Sequence, residues 1–253
     1  MIRLAARLAF RELRSGLQGL GLMVACLALG VSAIAVVGAL SAAIARGLSE
    51  QGQPLLGGDL EFAVMHRSLV PSEQAFLASR GQVSTVATLR GMASAKGERA
   101  LVEVKAVDAA YPLFGTVKLA DGGDLHEALA KRGERYGAVA DPALLGKLGI
   151  GPGDTIELGT QSFELRAALV SEPDRIGDGF ALGPRLMISR EGLQATGLVQ
   201  PGSLVTWRHR LKLDGSGGVK QVMQEAKRQF AESGWRIRGR DNAAPQVGRF
   251  VDR

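Results

Sequence analysis

No charged residue occurs between Arg14 and Arg46. The intervening segment, Ser15 to Ala45, reads SGLQGLGLMVACLALGVSAIAVVGALSAAIA. A hydrocarbon core of about 30 Å is crossed by roughly 20 apolar residues in an α-helix. The apolar heart of the segment, Leu20 to Ile44, meets that length. Residues 15–45 are therefore predicted to be a transmembrane helix, and every later residue must lie on one side of a membrane.

A secretory signal would also begin with basic residues, and Ala43-Ile44-Ala45 resembles a cleavage site. Signal apolar regions, however, run about 7–15 residues, and this one is far longer. A retained anchor is predicted. Before it, Arg3, Arg7, Arg11 and Arg14 stand against Glu12 alone, with Leu4, Leu8 and Leu13 between them at near-helical spacing. That is the pattern of an amphipathic segment, residues 1–14, lying on a membrane surface. The positive-inside rule puts this end in the cytoplasm and residues 46–253 outside. Gly16, Gly19, Gly21, Gly30 and Gly38 would let another helix approach closely.

Composition then limits the external part. Hydrophobic residues make up 46% of the chain and charged residues 22%, which excludes dominant disorder. The net charge is +6, but half of the excess falls in residues 1–14. The remainder is only mildly basic, unlike a nucleic-acid-binding domain. The single cysteine, Cys26, lies inside the apolar segment. The external domain therefore has neither an internal disulfide nor a cysteine-based zinc site.

Along the chain, Gly52 and Pro54 are predicted to end the helix leaving the membrane. LLGGDLEFAV (55–64) predicts a turn and a strand with Leu60, Phe62 and Val64 on one face. Pro71 opens a helix through Ser79. Val83–Ser94 and Arg99–Val107 form a hairpin around Lys96-Gly97. Helices are expected at 124–131, 142–148, 189–197 and 217–233. Further strands are expected up to Leu119 and at 138–140, 155–158, 162–170, 185–189, 204–213 and 235–238. The last two strands, with the helix between them, make a β-α-β unit.

Chemistry is hard to find in this pattern. Gly149-Ile150-Gly151-Pro152-Gly153 follows a helix and precedes a strand, the reverse of a dinucleotide fingerprint, and is read as a turn. The sequence has no phosphate-loop motif and no nucleophile elbow. His66, His126 and His209 are far apart and lack partners at metal-ligand spacing. Glu172, Asp174 and Asp178 have the chemistry to bind a cation, but a solvated loop is the better expectation. WRHRLK (207–212) and WRIRGR (235–240) alternate so that their arginines face solvent. No catalytic, cofactor-binding or metal residue is assigned, and no cofactor is expected.

Several stretches in order carry a resemblance: FRELRSGLQGL, CLALGVSAIAVVGALSAAIARGL, LLGGDLEFAV, LVEVKAVDAAYPLFGTVKL and LGIGPGDTIELGTQSFELRAAL. The most telling pieces are Leu55-Leu56-Gly57-Gly58-Asp59 and Tyr111-Pro112-Leu113-Phe114-Gly115. Together they resemble the N-terminal part of FtsX-like, MacB-like ABC transporter permeases, in the YbbP-like branch. The resemblance implies an α+β architecture: one N-terminal transmembrane helix, then a mixed α/β extracytoplasmic MacB-like periplasmic domain at 46–253, with a porter-like part and a more β-rich part.

It further implies a non-enzymatic permease subunit in the bacterial inner membrane, working with a separate cytoplasmic ATPase by mechanotransmission. The cargo would be lipid-like or hydrophobic. Expected partners are the ATPase, membrane lipids, a periplasmic esterase and a second permease copy or half, and no nucleic acid. Family members carry further transmembrane helices, so the chain is expected to be truncated. The competing reading is a single-span membrane-anchored domain for extracytoplasmic binding or sensing.

Overall fold

The structure is a computed structural model that describes residues 21–40, 52–175, 183–215 and 218–240. The chain divides into two units, Met1–Leu48 and Ser49–Arg253, each described on its own. In the first, α1 (Gly21–Leu40) has a mean hydropathy of 2.5 and none of it is buried within the protein. Among the described residues it is the one helix long and apolar enough to cross a membrane. The segment 1–14 and both ends of the expected 15–45 span lie outside the described residues.

The second unit is built on two split β-α-β units. The first runs β1 (Leu60–Met65), α3 (Pro71–Ala78) and β2 (Gly81–Ala95). The second runs β10 (Thr206–Leu213), α7 (Val219–Gln229) and β11 (Arg236–Gly239). They interleave in the order β11-β1-β10-β2, each neighbour antiparallel. This is the ferredoxin-like arrangement. Alternation in β1 puts Leu60, Phe62 and Val64 on one face, where α3 and α7 cover them with Phe76, Leu77, Val222 and Ala226. Fully burying each such side chain is worth about 1.5–3 kcal/mol. The start of α3 is fixed by Glu73, which accepts from the Val70 N–H at 3.0 Å and from Arg67 at 2.7 Å.

Everything between β2 and β10 is an insertion. Its strands are β3 (Glu98–Val107), β4 (Lys118–Leu119), β5 (Lys131–Arg132), β6 (Arg135–Ala140), β7 (Thr155–Leu158), β8 (Gln161–Ser171) and β9 (Arg185–Ser189). Pairing runs from β2 to β3, β9, β6, β8, β7 and back to β2, which closes a barrel. Its interior is aliphatic, with Ala93, Val102, Val104, Ala138, Ile156, Leu165, Leu186 and Ile188 buried around Phe163. Three short helices flank it: α4 (Leu125–Leu129), α5 (Pro142–Leu148) and α6 (Arg190–Ala195). Asp124, Asp141 and Ser189 cap their N-termini. The glycine-rich segment after α5 is a turn, with Asp154 accepting from the Gly151 N–H at 2.9 Å and from Lys96 at 2.9 Å.

Some expectations need correction. The helix expected to leave the membrane and end at Gly52 and Pro54 falls on residues 41–51, outside the described residues; Gly52–Leu56 itself forms the short helix α2. The turn closes later, where the Gly57 N–H donates to the Gln53 carbonyl at 2.8 Å. A proline breaks a helix only where its missing N–H is needed. The helix expected at 124–131 stops at Leu129, and Lys131 instead lies in β5, paired with Tyr136 of β6.

Candidate functional site

The face of the ferredoxin-like sheet opposite α3 and α7 carries charge. On β1, Glu61 stands opposite Arg210 of β10 and opposite Arg238 of β11. Alternation alone would expose this row to water. Instead the turn after β8 and the α2–β1 connection fold over it. Arg210 and Glu61 are each only 1% exposed.

From there the charges alternate across the molecule. Arg238 donates to Glu61 Oε1 at 2.6 Å. The Arg210 Nε lies 3.6 Å from Glu61 Oε2, and its other nitrogen donates to Asp174. Lys105 Nζ donates to both Asp174 oxygens, at 2.8 and 2.7 Å, and to Glu172 at 2.8 Å. Arg185 donates to the second Glu172 oxygen at 2.8 Å and pairs with Glu103 at 2.9 Å. The chain Arg238–Glu61–Arg210–Asp174–Lys105–Glu172–Arg185–Glu103 thus runs from the ferredoxin-like half through the turn after β8 to β3 and β9 of the barrel. Within it, each positive group lies beside a negative one.

Two of the family-like sequence pieces converge here. In Leu55-Leu56-Gly57-Gly58-Asp59, Leu56 is buried and Gly57, at φ +74°, lies against the Arg210 side chain. A Cβ on Gly57 would stand 2.8 Å from Arg210 Cδ. Asp59 accepts from Gln53 at 2.7 Å, from the Leu213 N–H at 3.0 Å and from Arg240 at 2.9 Å. It thereby ties α2 to β10 and to the end of β11. In Tyr111-Pro112-Leu113-Phe114-Gly115, the Tyr111 hydroxyl donates to Asp174 at 2.7 Å and accepts from Lys105 at 3.0 Å. The Lys105 ammonium also sits 4.8 Å from the Tyr111 ring centre, a cation–π contact.

The electrostatics follow from burial and partners. Burial alone would raise the Asp174 pKa, but the adjacent Lys105 and Arg210 charges outweigh it and hold the carboxyl well below its usual range. Burial pushes the Tyr111 hydroxyl far up, so it stays a neutral donor. The Lys105 nitrogen fills the space between Glu172 and Asp174 that a cation would need.

The expected solvated acidic loop is therefore wrong at these two residues: both carboxylates are buried and neutralised. Asp178 lies outside the described residues. Arg210 does not face solvent either. His66, His126 and His209 build no common site, and among the described residues no group of three His, Cys, Asp or Glu is placed to hold a metal. Nothing in the cluster offers a free nucleophile or a base beside a substrate-sized space. What it can do is hold two halves of a domain together.

A ferredoxin-like half carrying an inserted barrel is the architecture of a MacB-like periplasmic core domain. The chain belongs to the family of the MacB-like periplasmic core domain, which matches residues 20–229. Over 209 residues it is 32% identical to the ABC transporter permease YbbP of Escherichia coli (strain K12), a match covering 81% of this chain and 24% of that protein. The chain thus spans about a quarter of that relative's length. The crystal structure of the periplasmic region of MacB from Actinobacillus actinomycetemcomitans aligns with a TM-score of 0.50 at 10% identity, covering 76% of this chain and 94% of that one. At that identity the likeness concerns the fold.

Proposed function

We propose that the chain is part of a permease subunit of an ABC transporter of the mechanotransmission type. ATP is hydrolysed by a separate cytoplasmic subunit. Residues 1–14 lie on the cytoplasmic side, 15–45 cross the inner membrane, and 46–253 stand in the periplasm. The subunit pairs with a second permease copy or half. The cargo is lipid-like or otherwise hydrophobic, taken up among membrane lipids and handled beside a periplasmic esterase.

The buried charge chain from Arg238 to Glu103 is the observation that supports this reading best. A domain that relays movement must be stiff, and an alternating buried network is disrupted at high cost when one member moves. Breaking such a pair by removing one partner typically costs about 3–5 kcal/mol.

The test is to co-express the permease with a candidate ABC ATPase subunit from the same genome and purify them together. Stable co-purification, with ATP-dependent release of a fluorescent lipid analogue from proteoliposomes, is the expected result. Failure to associate when both proteins are present and folded would overturn the reading in favour of a single-span binding or sensing protein.

A further inference from the structure

On the helix-covered side, a cavity of about 380 Å³ opens between the two halves of the domain. Leu69, Leu77, Val83 and Trp207 supply apolar wall from the ferredoxin-like half. Arg190 and Gln194 of α6 supply polar wall from the barrel half. Its size is in the range of small-molecule pockets, roughly 300–1,000 Å³.

Two polar groups in this wall have work left to do. His209 is 5% exposed, and its Nδ1 lies 3.0 Å from the Thr85 hydroxyl. Its Nε2 has no hydrogen-bond partner among the described residues. A buried polar nitrogen left in that state is desolvated without compensation. Burial first, and then the Arg190 charge, push the His209 pKa down to about 4, so the ring is neutral at ordinary pH. When the Thr85 hydroxyl donates to Nδ1, Nε2 carries the proton and is a donor. Arg190, for its part, makes no ion pair with a carboxylate among the described residues. The other charges acting on His209 are Glu73 and Arg67, and these two are bound to each other at 2.7 Å. Among the described residues, the cavity therefore holds one cation without a carboxylate partner and one neutral donor without an acceptor, on an apolar wall.

We infer that this cavity binds a carboxylate borne on a short apolar body. The carboxylate bridges the Arg190 guanidinium and the His209 Nε2–H, and the apolar body lies against Trp207, Leu69 and Leu77. A ligand seated there touches both halves at once. The site does not depend on coupling to an ATPase, and its test needs none.

The probe is hexanoate, titrated into the full chain in nanodiscs of zwitterionic lipid. The sequence has two tryptophans, so Trp235→Phe leaves Trp207 as the sole reporter. Expected is a saturable change in Trp207 emission, at least tenfold weaker affinity in Arg190→Gln and in His209→Leu, and no saturation with hexanol or hexylamine. Arg190 is only partly buried, so its variant keeps the test valid should His209→Leu fail to fold. A non-saturating response to hexanoate, equal saturation with hexanol, or unchanged hexanoate affinity in Arg190→Gln would overturn the inference.

Discussion

Lys105 is the residue on which the domain depends most visibly. Its ammonium, fully buried, contacts two carboxylates, a phenol and that phenol's ring. Lys105→Met leaves Glu172 and Asp174 short of a cation, and a loss of about 3–5 kcal/mol is expected. Glu98→Gln, at an exposed site, should stay within about 0.5 kcal/mol. Denaturant melts of the full chain decide the matter. A second expectation concerns pH. The unfolded His209 takes up its proton near its ordinary pKa of 6.5, whereas the folded one does so only near 4. Stability should therefore fall as pH drops from about 6.5 to about 4, by about 3 kcal/mol at ~1.4 kcal/mol per unit. His209→Phe should flatten that stretch of the profile. Asp174 is depressed instead, so its contribution is present above the ordinary carboxylate range and is lost as pH falls below it. Equal pH profiles for the parent and His209→Phe would contradict the assignment.

At the scale of elements, local signals carried far and then stopped. Pro71, the Lys96-Gly97 turn, Asp141-Pro142 and the alternation of β1 each specify a helix start, a hairpin or a buried face within a few residues. The ionic junction was not legible. Glu61, Arg208, Arg210 and Arg238 alternate with apolar neighbours as any solvated face would. What covers that face is a turn more than a hundred residues away from β1, and no periodicity reports such a contact. The cue that was available lay in the two quoted pieces around Gly57 and Tyr111, which marked a family before their chemistry could be seen. Gly137 makes a further element-level test. On β6, a Cβ there would stand 1.9 Å from the Ala128 carbonyl oxygen and 2.7 Å from Arg166. That same Arg166 donates to the carbonyls of Ala128 and Ala130, at 3.3 and 2.7 Å, closing the end of α4. Gly137→Ala should cost about 1–3 kcal/mol by overpacking, and thermal melts should show it as a lowered midpoint.

For the whole molecule, the long apolar helix is legible in residue order alone, whereas the closure of the barrel is not. Closure requires β7 to pair with both β2 and β8, a long-range choice that strand propensity leaves open. If the charge chain couples the two parts, amides in β1 and in β6 should share one slowest class in hydrogen exchange. In Lys105→Met the two should separate. Amides that already exchange at unrelated rates in the parent would show that the parts open independently.

One strand makes this coupling covalent as well as electrostatic. Residues 81–88 of β2 pair with β10, and residues 86–95 pair with β3, so the two runs overlap only at Val86, Ala87 and Thr88. Tension drawn along β2 would load both ladders lengthwise, in shear, and not open them one hydrogen bond at a time. The domain should therefore resist stretching along this strand far better than peeling at its β11 edge, and a pulling experiment would find its mechanical strength to depend on direction.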